Sequence, residues 1–216
     1  ACAFLLSSCS KLQYLDNFFA IGSSNEIKKL MAHCNSDDQK SCHELGVSYY
    51  YGEGIEKDIN KAVKLEEGAC NSGIAAACAN LGLFYSDDKG VKKDYAKALL
   101  YFNKSCSGGF VSKGCNDLGV MYENGQGVDR DYFKAAELYQ KACNFDFGLG
   151  CSNLASAYEN GRGLKQDYVK ALELYQKACD KRIAVGCYNL AVMYENGQGV
   201  VQSKAKMLEN YGKACD

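Results

Sequence analysis

The 216-residue sequence predicts an all-α solenoid, and three regularities point to that fold. Cysteine pairs recur every 36 or 37 residues, a leucine–small residue–tyrosine pattern follows each pair, and a glycine turn follows each pattern. A repeat of this length is typical of a solenoid built from small stacked units. The pairs are Cys34/Cys42, Cys70/Cys78, Cys106/Cys115, Cys143/Cys151 and Cys179/Cys187.

The first segment of each unit has the spacing of a short helix, here named helix A. Leucine lies three residues after the second cysteine of a pair, glycine or alanine four after it, and tyrosine seven after it. The third unit shows this as Leu118, Gly119 and Tyr122 after Cys115. These offsets fall on one face of an α-helix, and the small residue lets a neighbouring helix approach closely.

A glycine turn and a second helix, helix B, complete each unit. Gly-x-Gly ends helix A in four units, and Gly90 alone holds that place in the other. Glycine readily adopts the left-handed conformation that stops a helix. An N-cap candidate follows each turn, and apolar residues then recur with helical spacing. The N-cap candidates are Asp58, Asp94, Asp131, Asp167 and Ser203.

Each cysteine pair would join the end of one helix B to the start of the next helix A. A disulfide there stabilises by roughly 2–3 kcal/mol in the chain-entropy model, and it implies an oxidising compartment. Free buried cysteines and metal binding are the alternatives. The only histidines, His33 and His43, flank the first pair and could form one local site with Cys34 and Cys42. Because zinc sites favour Cys-x-x-Cys spacing, which is absent, we predict no metal.

The start of the chain differs in character from the repeats. Residues 1–9 are predicted to be the remnant of a secretory signal. Leu6 to Cys9 resembles a bacterial lipobox, which would make Cys9 a lipidation site; a chance cysteine in a truncated signal is the alternative. We predict a linker over 10–25 and a repeat domain over 26–216. Its helix pairs are expected at about 42–70, 78–106, 115–143, 151–179 and 187–215.

Composition excludes several functions. A formal net charge of −1 and a pI of about 6.2 give no electrostatic case for nucleic-acid binding. No apolar run reaches the roughly twenty residues of a membrane-spanning helix. The Gly-x-Gly turns follow helices and recur with the repeat, so they are not phosphate loops, and no cofactor is expected. Cys215 stands where a sixth pair would begin, which predicts that the natural chain continues beyond Asp216.

The third unit carries a resemblance to a known family. It has Leu-Gly-Val-Met-Tyr-Glu-Asn-Gly-Gln-Gly-Val from Leu118, then Asp-Tyr-Phe-Lys-Ala from Asp131 and Lys-Ala-Cys from Lys141. This pattern resembles the Sel-1-like repeat, a relative of the tetratricopeptide repeat. The eight-residue cysteine spacing is similar to that of the Helicobacter cysteine-rich proteins, secreted solenoids with disulfide-bonded pairs. The resemblance covers about residues 26–216 and implies a right-handed α/α superhelix with one disulfide per repeat.

The same resemblance implies an alternative function, weak β-lactamase or penicillin-binding activity. Such chemistry is usually marked by Ser-x-x-Lys, and Ser86 and Lys89 have this spacing in the turn after a helix A. The accompanying Ser-Asp-Asn and Lys-Thr-Gly motifs are absent, so the sequence contains no convincing catalytic constellation. Cysteines in disulfides carry no thiolate nucleophile.

A binding surface is the preferred hypothesis. Helix A lines the concave face in related repeats, and asparagine recurs on it away from the leucine–tyrosine stripe. Asparagine both donates and accepts hydrogen bonds, so a ladder of them could bind a peptide backbone; a solvated helix face is the alternative. We expect a secreted or periplasmic scaffold, or an outer-membrane lipoprotein, that binds a peptide, protein or cell-wall fragment. The candidate residues are Glu44, Asn80, Asp117, Asn153, Asn189, Asn124, Asn160 and Asn196.

Overall fold

The computed structural model describes residues 24–87, 91–109 and 111–215, and within these ranges the regular structure is entirely α-helical. The predicted signal remnant, with Cys9, and most of the predicted linker lie outside the described residues. The helices are α1 (Ser24–Asn35), α2 (Gln39–Tyr51), α3 (Ile59–Asn71), α4 (Ala75–Ser86), α5 (Tyr95–Ser107), α6 (Val111–Asn124), α7 (Tyr132–Asn144), α8 (Gly148–Asn160), α9 (Tyr168–Asp180), α10 (Ala184–Asn196) and α11 (Lys204–Cys215).

The helices stack as the predicted solenoid. Even-numbered helices are helices A, odd-numbered ones are helices B, and repeats 1 to 5 run from α2–α3 to α10–α11. Each helix packs mainly on its neighbours in sequence. Helices A also touch across repeats, in the pairs α4–α6, α6–α8 and α8–α10, whereas among helices B the comparable contact is α9–α11. Helices A therefore line the inner surface of the curved stack.

The turn from each helix B to the next helix A rests on one residue in the left-handed conformation. The φ angles at these positions run from 59° at Arg182 to 102° at Gly109. This sharp turn lets helix A begin three or four residues before its cysteine, which is earlier than the sequence predicted. Helix α1, which the predicted pairs did not include, is the helix B that precedes repeat 1. The left-handed residues are Asp37, Gly73, Gly109, Asp146 and Arg182.

One disulfide per repeat is confirmed. Each bond joins the end of a helix B to the first turn of the next helix A, with Cα–Cα distances of 4.4 to 4.8 Å. A zinc site at the first pair is therefore wrong, because Cys34 and Cys42 are bonded to each other. Cys215 is also disulfide-bonded, to a cysteine outside the described residues, and not to a position beyond Asp216 as predicted. The bonds are Cys34–Cys42, Cys70–Cys78, Cys106–Cys115, Cys143–Cys151 and Cys179–Cys187.

The turn from helix A to helix B is closed by the predicted N-caps. In repeat 3, the Asp131 carboxylate accepts a hydrogen bond from the Lys134 amide at 2.9 Å, and the Asp131 amide donates to the Tyr122 carbonyl at 2.9 Å. The Lys134 Nζ lies 5.7 Å from the centre of the Tyr122 ring. The other four repeats contain the same cap and the same lysine–tyrosine contact.

Within a repeat, helices A and B approach closely at the predicted small residue. A Cβ added to Gly119 would lie 2.7 Å from the Tyr139 ring, and one added to Gly82 would lie 2.5 Å from the Phe102 ring. Such distances are shorter than van der Waals contact, so the bare glycine backbone is what admits the ring. Tyr139, Phe102 and the equivalent Tyr175 are at most 2% exposed and form the centre of each repeat.

Candidate functional site

All eight predicted binding residues lie on helices A. Glu44, Asn80, Asp117, Asn153 and Asn189 form a row in the middle of successive helices and are half-buried. Asn124, Asn160 and Asn196 are the exposed last residues of α6, α8 and α10, just before the glycine turns. The predicted ladder is thus two rows, one along the inner surface and one along its edge.

The middle row is partly held by hydrogen bonds between repeats. The Asn153 amide donates to Oδ1 of Asn116 at 2.9 Å, and Asn116, which is 1% exposed, donates to Asp117 at 3.0 Å. An amide group has two N–H donors and one acceptor, so this bond leaves Asn153 further capacity. The row therefore both stabilises the stack and offers polar groups along it.

The edge row has a partly local role. The Asn160 amide donates to the carbonyl of Ser156 at 2.9 Å, one turn earlier in its own helix. The Ser156 carbonyl also lies within reach of the Asn160 backbone N–H in the helix, so this is a second, side-chain bond within α8. The bond engages one of the two Asn160 amide hydrogens locally, which weakens the candidacy of Asn160 as a ligand contact.

A second recurring pair, which the sequence did not predict, joins the two helices of repeats 3 to 5. The tyrosine eight residues after the N-cap of helix B donates its hydroxyl to a helix A glutamate: Tyr139 to Glu123 at 2.6 Å, Tyr175 to Glu159 at 2.8 Å and Tyr211 to Glu195 at 2.9 Å. Burial and the neighbouring Glu159 raise the pKa of the Tyr175 hydroxyl, so it remains a proton donor. Each tyrosine thereby fixes a carboxylate at the inner edge of the stack.

Repeat 1 exchanges the two members of this pair. Tyr50 occupies the helix A position, and Glu66 occupies the helix B position at the repeat centre, where it is fully buried. Its carboxylate accepts hydrogen bonds from His43 Nδ1 at 2.8 Å and from the Asn80 amide at 3.0 Å. Burial raises the pKa of the Glu66 carboxyl, and these two bonds offset part of the rise.

Comparison with known proteins places the chain in a family. Five stretches match the model described as Sel1 repeat, at residues 39–73, 75–110, 112–144, 148–182 and 184–216. The chain belongs to the Sel1 repeat family. Sel1 repeat proteins generally bind other proteins. No curated protein matches the sequence.

Two solved structures show the same fold, and a third shares part of the sequence. A Sel1 repeat protein from Oxalobacter formigenes superposes with a TM-score of 0.83 at 24% identity, covering 89% of this chain and 77% of the other. The c5321 protective antigen of uropathogenic Escherichia coli has a TM-score of 0.77 at 28% identity, and the match covers 88% of this chain but only 41% of c5321. Helicobacter pylori cysteine rich protein B matches 57% of this chain and 88% of its own at 31% identity, with a TM-score of 0.47.

The catalytic candidate Ser86 has a structural explanation in this Sel1 repeat array. It ends α4, and its hydroxyl donates to the Leu83 carbonyl at 3.0 Å. When the repeats are aligned, Ser86 occupies the position of the glutamate in repeats 3 to 5. Phe102 occupies the position of the tyrosine that bonds to this glutamate. Phenylalanine has no hydroxyl, so no acceptor is needed at that place. Lys89 lies outside the described residues, and the enzyme alternative has no support.

Charged residues are divided unequally between the two helix types. Helices A carry carboxylates along their length, and their two lysines, Lys40 and Lys113, stand in the first turns. On helices B of the five repeats, lysines outnumber carboxylates overall, eleven to six, although α3 and α9 have two of each. Helices A therefore carry a net negative charge and helices B a net positive one, although the whole chain has a formal net charge of −1. The helix A carboxylates are Glu44, Asp117, Glu123, Glu159 and Glu195.

Two further findings concern ligands and membranes. His43 bonds to Glu66 and not to a cysteine pair, and no cluster of three or more metal-ligating side chains occurs within 24–87, 91–109 and 111–215. In the same ranges, none of the helices has the length and apolar character needed to cross a membrane.

Proposed function

We propose that this Sel1 repeat protein is a rigid scaffold that holds a peptide, or an extended segment of a protein, on the inner surface of its helices A. The observation that carries the proposal is the polar row of Asn80, Asp117, Asn153 and Asn189, which continues from repeat to repeat along that surface. An extended peptide presents a backbone donor and acceptor at regular intervals, and amide side chains can bond to both.

Rigidity supports the same function. Because every repeat junction carries a disulfide, the spacing of the asparagine side chains along the stack is fixed before a ligand arrives. A preorganised surface loses little conformational entropy on binding, which favours affinity.

The site of action that we propose is outside the cytoplasm, in the periplasm or beyond the cell. Five disulfides persist only where the surroundings are oxidising, because cytoplasmic reductants keep protein thiols reduced. Anchoring through a lipid on Cys9 remains a prediction for the intact protein.

The test is selection of ligands from a displayed library of random peptides about twelve residues long, an extended length of ~40 Å. Selected peptides should bind the purified protein and lose at least tenfold in affinity when Asn153→Ala and Asn189→Ala are combined. The matched control is Asn71→Ala with Asn144→Ala, two exposed asparagines at the ends of helices B. Equal affinity for both double variants, with unchanged circular dichroism, would contradict the proposal.

A further inference from the structure

An aromatic groove distinguishes the inner surface of repeats 1 and 2. It lies between α2 and α4 and is lined by Val47, Tyr50, Tyr51, Asn80, Leu83 and Phe84. The Tyr50 ring stacks on Phe84 with centroids 4.2 Å apart, and Tyr51 packs edge-on against Tyr50 at 5.0 Å. Tyr51 is 55% exposed and Leu83 38% exposed, so the groove presents an apolar surface to solvent.

The groove exists because of the exchange in repeat 1. With the arrangement of repeats 3 to 5, the helix B tyrosine would be buried and a glutamate would stand at position 50. Instead Tyr50 lies on the inner side, and the carboxylate of Glu66 is buried with His43 and Asn80 as its partners. Burying a carboxylate costs stability even when it is hydrogen-bonded. A departure of this kind from the repeat pattern is typical of a functional position.

The same inner surface becomes acidic towards the other end of the chain. Glu123, Glu159 and Glu195 follow one another along repeats 3 to 5, each held by a tyrosine hydroxyl. A hydroxyl donor fixes a carboxylate without neutralising it. Arg162 lies 3.1 Å from Glu123 and offsets part of its negative charge. The carboxylates of Glu159 and Glu195 are therefore the charges that a ligand would meet.

We propose that the ligand is a basic peptide with one large apolar side chain. The apolar side chain occupies the groove between α2 and α4, and lysine or arginine side chains farther along the peptide lie against Glu159 and Glu195. This inference rests on the proposed function, since it specifies what the inner surface of helices A would hold. The net positive charge of helices B repels such a peptide, whereas the carboxylates of helices A attract it, which directs binding to the inner side.

The distances are compatible with one short peptide. Packed helices are separated by about 8–10 Å, so three helix spacings place α10 ~30 Å from α4. An extended chain covers this in about nine residues at ~3.3 Å each. The apolar and basic parts of the ligand therefore fit within a single linear segment.

The probe is a fluorescein-labelled synthetic peptide with leucine at one end and lysine at every second position after it, made in both chain directions. Fluorescence anisotropy would compare it with two analogues, one with glutamate for every lysine and one with serine for the leucine.

Two double variants of the protein test the two parts of the surface. Glu159→Gln with Glu195→Gln removes the inner charges but keeps an acceptor for both tyrosines. Tyr51→Ser with Leu83→Ser removes the exposed lining of the groove. Glu137→Gln with Glu173→Gln removes the same charge from exposed positions on helices B.

We expect the lysine peptide to bind, and each inner-surface double variant to weaken it at least about fivefold at low ionic strength, with the Glu-to-Gln effect reduced by added salt. The helix B control should bind like the unchanged protein. A further variant, Tyr50→Glu with Glu66→Tyr, gives repeat 1 the pair found in repeats 3 to 5 and should lose the leucine preference while remaining folded.

Several results would overturn the inference. Equal binding of the lysine and glutamate peptides, or equal loss in the helix B control, would mean that the inner carboxylates do not select the ligand. If library peptides bind through Asn153 and Asn189 without any basic or apolar preference, the scaffold function stands and this inference fails. If no peptide of any composition binds, both fail.

Discussion

Repeats 3 to 5 and repeats 1 and 2 share one backbone plan but solve the packing of the repeat centre differently. In repeats 3 to 5 a helix B tyrosine, buried in repeats 3 and 4, reaches a glutamate on the inner edge. Repeat 2 uses Phe102 and needs no acceptor, and repeat 1 buries Glu66 and moves the aromatic ring of Tyr50 to the inner surface. This difference shows that tyrosine, phenylalanine or glutamate can occupy the centre of a repeat. The residue at the centre determines which helix A side chain lines the inner surface.

The turns between repeats also differ between these two regions. The turns that follow repeats 1 and 2 place glycine, Gly73 and Gly109, at the left-handed position, whereas those after repeats 3 and 4 place Asp146 and Arg182 there. Conversely, the Gly-x-Gly turns of repeats 3 to 5 press their second glycine against the preceding repeat, as Gly199 does against the Tyr168 carbonyl. Repeats 1 and 2 therefore place glycine at the turn that leads to the next repeat, whereas repeats 3 to 5 need it most at the turn between helix A and helix B.

The largest effect is expected from Gly163→Ala in repeat 4. Its φ of +69° disfavours any side chain, and the added Cβ would overlap the Tyr132 carbonyl of repeat 3. We expect a loss of more than about 3 kcal/mol in the free energy of unfolding, measured by denaturant titration. Gly161→Ala has nearly the same φ, +65°, but a nearest atom at 3.5 Å, and should cost only about 1 kcal/mol. Equal losses would show that conformation alone, and not contact between repeats, restricts both sites.

Removing a disulfide should have the next largest effect, and its extent should depend on position. Cys143→Ala with Cys151→Ala should cost about 2.5 kcal/mol by loop entropy and loosen the repeat 3–4 junction. Cys34→Ala with Cys42→Ala should release α1 alone, because α1 packs chiefly on α2. Amide hydrogen exchange resolves the two cases; protection lost throughout the stack in the second variant would contradict this view of α1.

The buried carboxylate of repeat 1 should produce a pH dependence that repeats 3 to 5 lack. Because burial raises the pKa of Glu66 in the folded protein, its ionisation penalises folding above that pKa, and the penalty disappears as the pH falls towards the ordinary carboxyl range. The stability of the unchanged protein relative to Glu66→Gln should therefore increase as the pH is lowered from neutral. Denaturant titrations over a pH series measure this difference. The exposed Glu137→Gln is the control, and a flat difference for Glu66→Gln would refute the expectation.

The smallest effect is expected at the junction after repeat 4. Arg182 is exposed and has a φ of 59°, a conformation that costs an L-residue about 1 kcal/mol. Arg182→Gly removes this cost but adds freedom to the unfolded chain. We therefore expect a net gain of only about 0.5 kcal/mol, read as a small rise in Tm. Gly73→Ala makes the reverse change and should be destabilising; a loss of stability in Arg182→Gly would indicate that the arginine side chain contributes at this turn.

Much of the fold could be predicted from the sequence because its determinants are local. The cysteine pairs, the N-caps such as Asp131 and the small residue at Gly119 each act within one helix or one turn. The tyrosine–glutamate pairs were missed because their members lie 16 residues apart on different helices. The signal was nevertheless present, since Glu123, Glu159 and Glu195 recur in register with Tyr139, Tyr175 and Tyr211. The same register would have explained Ser86 without invoking catalysis.

The candidate surface was predicted only in part. Asparagine repetition pointed to helices A as the candidate surface, but could not reveal that Asn160 bonds to its own helix or that Asn80 supports Glu66. The aromatic groove depends on Tyr50 and Phe84 meeting across two repeats, a contact that one-dimensional spacing does not encode. Irregularity in the repeat, at Tyr50 and Glu66, was the sequence feature that marked it.

The five disulfides have a consequence for how the chain reaches its oxidised state. Each bond closes a separation of 8 or 9 residues, while the nearest wrong partner for Cys42 is Cys70, 28 residues away. Closing the longer loop costs about 1 kcal/mol more entropy, so proximity along the chain already favours the native partner. The pairs can form in succession as the chain emerges, each independent of the repeats still to come. For these five pairs, correct oxidation is therefore a matter of order along the sequence and needs no folded template.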